Sequence, residues 1–335
     1  MPDSGKIDRE FFDAEIAPLL GADRDDVVLG PTHGVDFGML DVGDSRIVVA
    51  TDPLSILPAL GFERAGRFAI GFVLADVAVS GVRPSHLSIS FSLPTEMTDE
   101  EFKRLWGGIH EECRDLGISV VTGHTARYAE CDYPWVGGAT AFAVGDPNAV
   151  IRPDGARPGD DLLVTNGPAV EATGLLTTLF PDAIDLDRGA LSTAQARLDD
   201  IDVVRDALAA ADAGGVTAMH DATEGGLFGA FEEFAAAGDV RLEIDRDAIP
   251  IRPGVMETAE ALDMDPWYAG SSGTLLLAVD PGRTADVLDA LEARRTAVTI
   301  VGRVHEGSGV LIDGDQPLRA DGDSSWSVYD RLANE

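Results

Sequence analysis

Three aspartates near the start of the chain lie in or beside apolar segments. Asp36 lies in the glycine-flanked loop THGVDFG, Asp52 follows the apolar run VVAT, and Asp76 lies inside AIGFVLADVAVSG. A lone carboxylate is costly to bury, so each needs a partner. Carboxylates suit Mg²⁺, which proteins hold with a few such ligands and substrate phosphates. We predict that all three are metal ligands. The alternatives are a strand-end turn at Asp52 and a hydrogen-bonded or capping carboxylate at Asp76.

A second candidate is the motif VVTGHTARY (120–128), where a predicted strand runs into Gly123, His124 and Thr125. Polar loops at the carboxyl ends of strands are a usual place for ligands in proteins that mix helices and strands. His124 could donate a hydrogen bond to an anion there. The alternative is a histidine that only supports the loop.

The most specific local pattern is HDATEGGLFGAFEEF (220–234). It predicts a helix capped by Thr223, whose first turn contains Glu224, Gly225 and Gly226. Glycines there would let a ligand approach the unpaired N–H groups, and the helix dipole favours an anion. Close packing of the helix against a strand explains two glycines equally well.

The charge of the chain excludes some partners. Its 335 residues contain 25 Lys and Arg against 59 Asp and Glu, which gives a net charge of −34. Such a chain is unsuited to nucleic acids or anionic membranes. Only Lys6 and Lys103 are lysines. Because concentrated salt screens repulsion between acidic groups, the composition predicts a halophilic protein; an ordinary acidic protein is the alternative.

Several other classes are also disfavoured. No P-loop or GxGxxG motif occurs, and the two cysteines, Cys113 and Cys131, form no CxxC pair. The start of the chain does not resemble a signal peptide. The longest apolar run, Phe68–Val79, contains Asp76 and is too short to span a bilayer. We expect a cytoplasmic protein that acts on a small molecule.

Strand and helix patterns alternate along the chain, but not in strict pairs. This predicts an α+β fold with mixed sheets. The segment 145–160 is rich in Pro, Gly and Asp and marks the predicted boundary between domains 1–150 and 151–335.

Seven segments, taken together and in order, resemble the PurM-like superfamily, in particular archaeal proteins related to AIR synthase and to the hydrogenase maturation factor HypE. They are GVDFG (34–38), TDP (51–53), LADVAVSGVRPSHLSISFSLP (74–94), VTGHT (121–125), GARPGDDLLVTNGPAVEATGLL (155–176), HDATEGGL (220–227) and LDMDPWYAGSSGTLLLAV (262–279).

The resemblance implies two α+β domains, of which the N-terminal one has a mixed sheet and forms a homodimer, and the C-terminal one is sandwich-like. It implies ATP and Mg²⁺ as cofactors. By position, His124 and Asp221 would be catalytic, and the metal ligands would be the three aspartates named above. The residues implied to bind the cofactor are Gly34, Asp36, Asp52, Gly123, His124, Thr125, Thr223, Gly225 and Gly226.

The function implied is activation or phosphorylation of a small molecule or amide by the terminal phosphate of ATP. Three positions depart from the family pattern: His124 replaces a carboxylate, Glu224 replaces a basic residue, and Asp36 stands alone where relatives often have paired acids. The chain also ends in YDRLANE, without the cysteine on which HypE carries a carbamoyl group. The alternatives are therefore a HypE-like maturation or assembly protein, or a nucleotide-binding module without turnover.

The charge pattern makes one prediction. We expect the thermal unfolding midpoint to fall markedly when molar KCl is replaced by dilute buffer, because repulsion among the acidic groups is then unscreened. Circular dichroism melts over a series of KCl concentrations measure this. Equal midpoints in dilute buffer and molar KCl would contradict the prediction.

Overall fold

The computed structural model describes residues 5–317 and 322–334, which form two compact units. The N-terminal unit contains residues 25–30 and 36–150. The C-terminal unit contains residues 5–24, 31–35, 151–317 and 322–334. The domain limits predicted from the sequence, 1–150 and 151–335, remain a prediction.

The first described segment belongs to the C-terminal unit and is only partly regular. It contains the short helix α1 (Arg9–Phe11), a π-helical turn at Phe12–Ile16 and a 3₁₀ turn at Ala17–Leu19. The Asp8 side chain caps α1 by accepting a hydrogen bond from the Phe11 N–H.

The N-terminal unit has a six-stranded sheet and two helices. In chain order its elements are β1 (Val27–Leu29), β2 (Gly38–Val42), β3 (Ser45–Ser55), α2 (Phe62–Ala78), β4 (Pro84–Pro94), α3 (Asp99–Leu116), β5 (Ser119–Tyr128) and β6 (Trp135–Gly145). The spatial order is β1-β2-β3-β6-β4-β5. Only β4 and β5 are parallel neighbours, so the sheet is mixed and β5 lies at its edge.

Helices α2 and α3 approach each other closely because glycines lie at their contact. A side chain at Gly66 would overlap the Leu105 carbonyl oxygen, and one at Gly108 would overlap the Glu63 carbonyl oxygen. Helix α2 also packs on β3, β4 and β6. This explains why its apolar residues continue nearly all round the helix.

Helix α3 starts with a capping box, as the spacing of Thr98 and Glu101 in the sequence indicates. The Glu101 N–H donates to Thr98 Oγ1, and the Thr98 N–H donates to the Glu101 carboxylate. These bonds satisfy two backbone donors that a helix N-terminus leaves free.

The C-terminal unit has a second six-stranded sheet, with further helices. Its remaining elements are β7 (Asp161–Thr165), α4 (Val170–Leu179), α5 (Arg188–Gln195), α6 (Val204–Ala213), β8 (Val216–Ala222), α7 (Gly226–Gly238), β9 (Arg241–Ile244), α8 (Val255–Leu262), β10 (Thr274–Val279), α9 (Thr284–Ala293), β11 (Val298–His305), β12 (Gly309–Ile312) and α10 (Ser324–Ala333). The strand order is β12-β9-β11-β7-β10-β8, and only the β12–β9 pair is parallel.

Two apolar clusters hold this unit together. In the first, Phe231 and Phe234 of α7 pack among residues of the sheet such as Leu162 and Leu276. In the second, Ala172 and Leu176 of α4 pack among residues of α8 and α10. The second cluster fixes the start of α4 beside α10, which matters for the candidate site.

The two mixed sheets confirm the predicted two-domain α+β fold. Among the described residues, none of the helices combines the length and apolar composition needed to cross a membrane.

The glycine contact between α2 and α3 can be tested with neighbouring residues of one helix. Gly108→Ala should lower the free energy of unfolding by about 2 kcal/mol, because the added methyl group must displace the Glu63 backbone. Gly107→Ala is the control, because its methyl group meets no atom within 4 Å. The control should be neutral, or more stable by up to about 1 kcal/mol. Denaturant unfolding in molar KCl measures both; equal effects would contradict the packing argument.

Candidate functional site

Two of the three predicted metal ligands lie on elements that pack together in the N-terminal unit. Asp52 is on β3 and Asp76 is on α2, and both side chains are half-buried. Asp36 precedes β2 and is half-buried beside Phe37, which is buried. All three aspartates have interaction partners in the structure, as expected for carboxylates in apolar surroundings.

The strand-end turn considered as the alternative for Asp52 is wrong. Strand β3 continues to Ser55, and Asp52 and Pro53 are paired with Ala139 and Gly138 of β6. The pairing of β3 with β2 stops at Val49, so the second half of β3 has a neighbour on only one side. Proline lacks an N–H group and is tolerated there as it is on an edge strand.

The motif with His124 also continues as a strand rather than ending one. Strand β5 runs to Tyr128, and the exposed His124 ring lies with Nε2 3.3 Å from Tyr128 Oη. A side chain at Gly123 would overlap the Ile89 carbonyl oxygen of β4, so this glycine allows the two strands to pair. Gly123, His124 and Thr125 therefore lie in an exposed edge strand, where the His124 and Thr125 side chains project from opposite faces of the sheet.

The glycine-rich tip of α7 differs in detail from the prediction. The helix begins at Gly226, and Gly225 stands at its N-cap position with φ of 80°. Thr223 does not cap the helix; its Oγ1 accepts a hydrogen bond from Lys6 Nζ at 3.2 Å. A side chain at Gly226 would lie 2.7 Å from the Trp267 carbonyl oxygen. Close packing thus requires glycine at 226.

Carboxylates surround this tip. The Gly225 N–H donates to Asp323 Oδ2 at 3.0 Å, and the Lys6 N–H donates to Glu224 Oε2 at 2.8 Å. The N-terminal end of α7 therefore already interacts with an anion, the Asp323 side chain, which the helix dipole favours.

Glu171, in the first turn of α4, lies near the acidic residues at the tip of α7. Its Oε2 accepts a hydrogen bond from the Ser272 N–H at 3.2 Å. Burial raises the pKa of Glu171 to about 7, and the negative charges of Asp323 and Glu224 act in the same direction. The Glu171 carboxyl group therefore gains or loses its proton near neutral pH.

Asp221, the second predicted catalytic residue, lies on β8 and is only 2% exposed. Its neighbour His220 places Nε2 3.2 Å from Glu233 Oε2 on α7. Burial alone would raise the pKa of Glu233. The His220 hydrogen bond and the charges of Lys6, His220 and His33 outweigh burial and lower that pKa to about 2.

Gly34 packs closely against the Glu233 side chain. Its φ is +75°, and a side chain there would lie 2.7 Å from Glu233 Cγ. The loop at 31–35 therefore packs on α7 through a glycine, with His33 Nε2 3.1 Å from the Ile7 carbonyl oxygen.

Glu171, Glu233 and Asp323 were not among the site residues predicted from the sequence. Glu171 interrupts the apolar stretch PAVEATGLL as Asp76 interrupts its own, so the same argument would have found it. Glu233 follows Glu232 in a helix and Asp323 lies among other acidic residues, so neither gives a local signal.

Replacement of Glu171 by Gln tests its ionisation. An unfolded Glu171 loses its proton near pH 4.5, whereas the folded one keeps it to about pH 7, so this residue costs stability as pH rises between those values. The cost reaches about 3 kcal/mol above pH 7. We therefore expect Glu171→Gln to match the wild type at pH 5 and to be more stable at pH 8.

Thermal melts in molar KCl with EDTA measure the stability of both proteins at pH 5 and at pH 8. The control is Glu257→Gln, an exposed Glu in the first turn of α8. It should leave the difference between the two pH values unchanged. The same pH dependence in the wild type and in Glu171→Gln would show that Glu171 does not have a raised pKa.

Comparison with known proteins adds the family context. Residues 34–144 match the family model "AIR synthase related protein, N-terminal domain", and residues 157–314 match the corresponding C-terminal domain. The carbamoyl dehydratase HypE of Escherichia coli is 29% identical over 314 residues, which cover 92% of this chain and 89% of HypE.

Solved structures agree with this. A crystal structure of E. coli HypE superposes with a TM-score of 0.70 at 25% identity, covering 94% of this chain and 96% of that one. The structure of AaThiL complexed with AMPPCP and TMP superposes with a TM-score of 0.69 at 22% identity, covering 88% of this chain and 92% of that one. A HypE structure in complex with ATP superposes with a TM-score of 0.63 at 21% identity, covering 95% of this chain and 96% of that one. The family models and HypE matches span both units, and the chain belongs to the PurM-like family of AIR synthase-related proteins.

Proposed function

We propose that this protein binds ATP with Mg²⁺ and uses the terminal phosphate of ATP to activate or phosphorylate a small-molecule or amide acceptor. The observation that carries the proposal is the placement of Asp52 on β3 and Asp76 on α2, two packed elements of one unit. Relatives solved with ATP, or with AMPPCP and TMP, support the choice of nucleotide.

The donor chemistry of the N-terminal unit fits the metal. Asp36, Asp52 and Asp76 are half-buried carboxylates, and Mg²⁺ in proteins is held by a few such groups together with water and phosphate oxygens. Mg²⁺ supplies positive charge that neutralises the phosphates during transfer. In this proposal the three aspartates hold the metal.

Other residues are assigned to the nucleotide and the transfer. Along β5, Gly123 allows close pairing with β4, and the side chains of His124 and Thr125 can donate hydrogen bonds to phosphate oxygens. His124 is neutral or cationic, so it can stabilise a moving phosphate in a way that a carboxylate could not. In the C-terminal unit, Asp221 is assigned to the acceptor as a proton-accepting group.

The glycine segments have supporting roles. Gly34 keeps the loop before Asp36 in its packed position, and Thr223, Gly225 and Gly226 form the tip of α7. The carboxylates around that tip disfavour an uncompensated phosphate. The proposal therefore assigns the ATP phosphates chiefly to the metal bound by the aspartates.

The second candidate is a module that binds nucleotide without turnover, or a HypE-like maturation or assembly protein. His124 and Glu224, which depart from the family pattern, are the specific observations in its favour. Retained ATP binding with no phosphate release, with or without amide acceptors, would favour this second candidate.

We also propose a homodimer formed through the N-terminal unit. Strand β5 is an edge strand of ten residues, nearly all exposed, and Val121 is 56% exposed. A long exposed edge strand offers unpaired backbone groups to a strand of another chain. A second copy of the sheet would provide that strand.

The ATP proposal makes one mutational prediction. Asp52→Asn should abolish Mg²⁺-dependent ATP binding and leave the fold intact, because it removes a metal-binding charge and keeps the size of the side chain. Isothermal titration calorimetry in molar KCl measures the affinity, and circular dichroism checks the fold. The control is Asp44→Asn, an exposed residue between β2 and β3.

Three results bear on the proposal. If Asp52→Asn binds Mg²⁺ and ATP as tightly as the wild type, Asp52 has no part in the site. If the wild type binds no ATP with Mg²⁺ present, the proposed function is wrong. A tenfold or greater loss of affinity in Asp52→Asn alone, equivalent to about 1.4 kcal/mol, would support it.

A further inference from the structure

We propose that the C-terminal unit has its own binding site for a divalent cation, formed by oxygen atoms of Glu171, Asp323, Ser272 and Ser325 around Gly270. We refer to these five residues as the Gly270 cluster. All of them belong to one unit. The proposal is independent of the metal assigned to Asp36, Asp52 and Asp76.

The absence of a side chain at Gly270 leaves room where oxygen atoms converge. The position that a Cβ atom would take lies 3.3 Å from Glu171 Oε2, 3.6 Å from Ser325 Oγ and 3.8 Å from Asp323 Oδ2. These atoms come from two different helix starts, α4 and α10, so the fold and not a local turn brings them together. Gly270 has no positive φ that would otherwise explain a glycine.

A buried hydroxyl group is the second, independent observation. Ser272 is only 7% exposed, and its Oγ has no hydrogen-bond partner of normal geometry in the described structure. This hydroxyl nevertheless lies close enough to the Glu171 carboxyl group to influence it. A buried hydroxyl whose contact with Glu171 falls short of a normal hydrogen bond is incompletely satisfied, and a bound cation would accept its lone pair.

The chemistry of these donors selects the type of ligand. Two carboxylates and two hydroxyls are hard oxygen donors, without a histidine or cysteine among them. Such sets suit Mg²⁺, Mn²⁺ or Ca²⁺ rather than zinc or copper. Glu224, which also acts electrostatically on Glu171, adds a further negative charge nearby. The excess of negative charge favours a divalent over a monovalent ion.

The site has a structural consequence for the tip of α7. Asp323 already accepts the Gly225 N–H, and Glu171 accepts the Ser272 N–H. A cation held between these two carboxylates would join the start of α4, the segment before β10, and the start of α10. It would also reduce the negative charge beside Thr223–Gly226.

The competing explanation is a proton shared within the acidic cluster, with no metal. In that case the cluster would bind a divalent ion no better than other acidic surfaces of the protein. The two explanations differ in the number of ions bound and in the effect of filling the space at Gly270 without changing any charge.

The test is a Mn²⁺ titration of the full-length protein at pH 8 in molar KCl, followed by the electron paramagnetic resonance signal of free Mn²⁺. Glu171→Gln, Asp323→Asn and Gly270→Ala should each remove one tightly bound Mn²⁺ per chain. Asn remains a good helix cap, so Asp323→Asn should keep α10. Gly270→Ala removes no charge and blocks the site by volume alone.

Glu257→Gln is the matched control and should bind as many ions as the wild type. Asp52→Asn separates the two metal proposals, since it should leave this ion bound. If the three cluster variants bind as many Mn²⁺ ions as the wild type with the same affinity, or if the wild type binds none that depends on them, the site does not exist. Circular dichroism of each metal-free variant checks that lost binding does not reflect unfolding.

Discussion

The cost of placing carboxylates among apolar elements governs the C-terminal unit of this acidic protein. Two glutamates illustrate it with opposite results. Glu233 meets His220, Lys6 and His33, which lower its pKa to about 2 in spite of burial. Glu171 has acidic neighbours, and burial raises its pKa to about 7. Cationic side chains stabilise the ionised form of Glu233, whereas burial and acidic neighbours favour the protonated form of Glu171.

Glycine determines how closely these acidic groups can approach the backbone. Gly34 allows its loop to lie against the Glu233 side chain, and Gly226 allows α7 to start against the Trp267 backbone. Gly270 leaves space beside Glu171 and Asp323. These glycines therefore differ in their structural role. Gly34 and Gly226 permit close packing, whereas Gly270 leaves a space lined by oxygen atoms.

Membership in the AIR synthase-related family and the local chemistry are complementary. The family models cover both units, and the aspartates expected for metal binding lie on β3, on α2 and just before β2. The tip of α7, in contrast, has the acidic residues Glu224, Asp323 and Glu171 around it. Lys6, one of only two lysines, contacts Thr223 and Glu224 at this tip, where it offsets part of that charge.

The sequence by itself determined the α+β class, the capping box of α3 and the apolar segments that contain Asp76 and Asp52, because these depend on periodicity and on neighbours close in the chain. It could not determine where β3 and β5 end, since Asp52 and His124 stay in strands only through pairing with β6 and β4. Nor could it place Glu171 beside Asp323, which are separated by 152 positions and brought together by the packing of α4 and α10. Electrostatic surroundings depend on distances in space, and only the tertiary structure sets those.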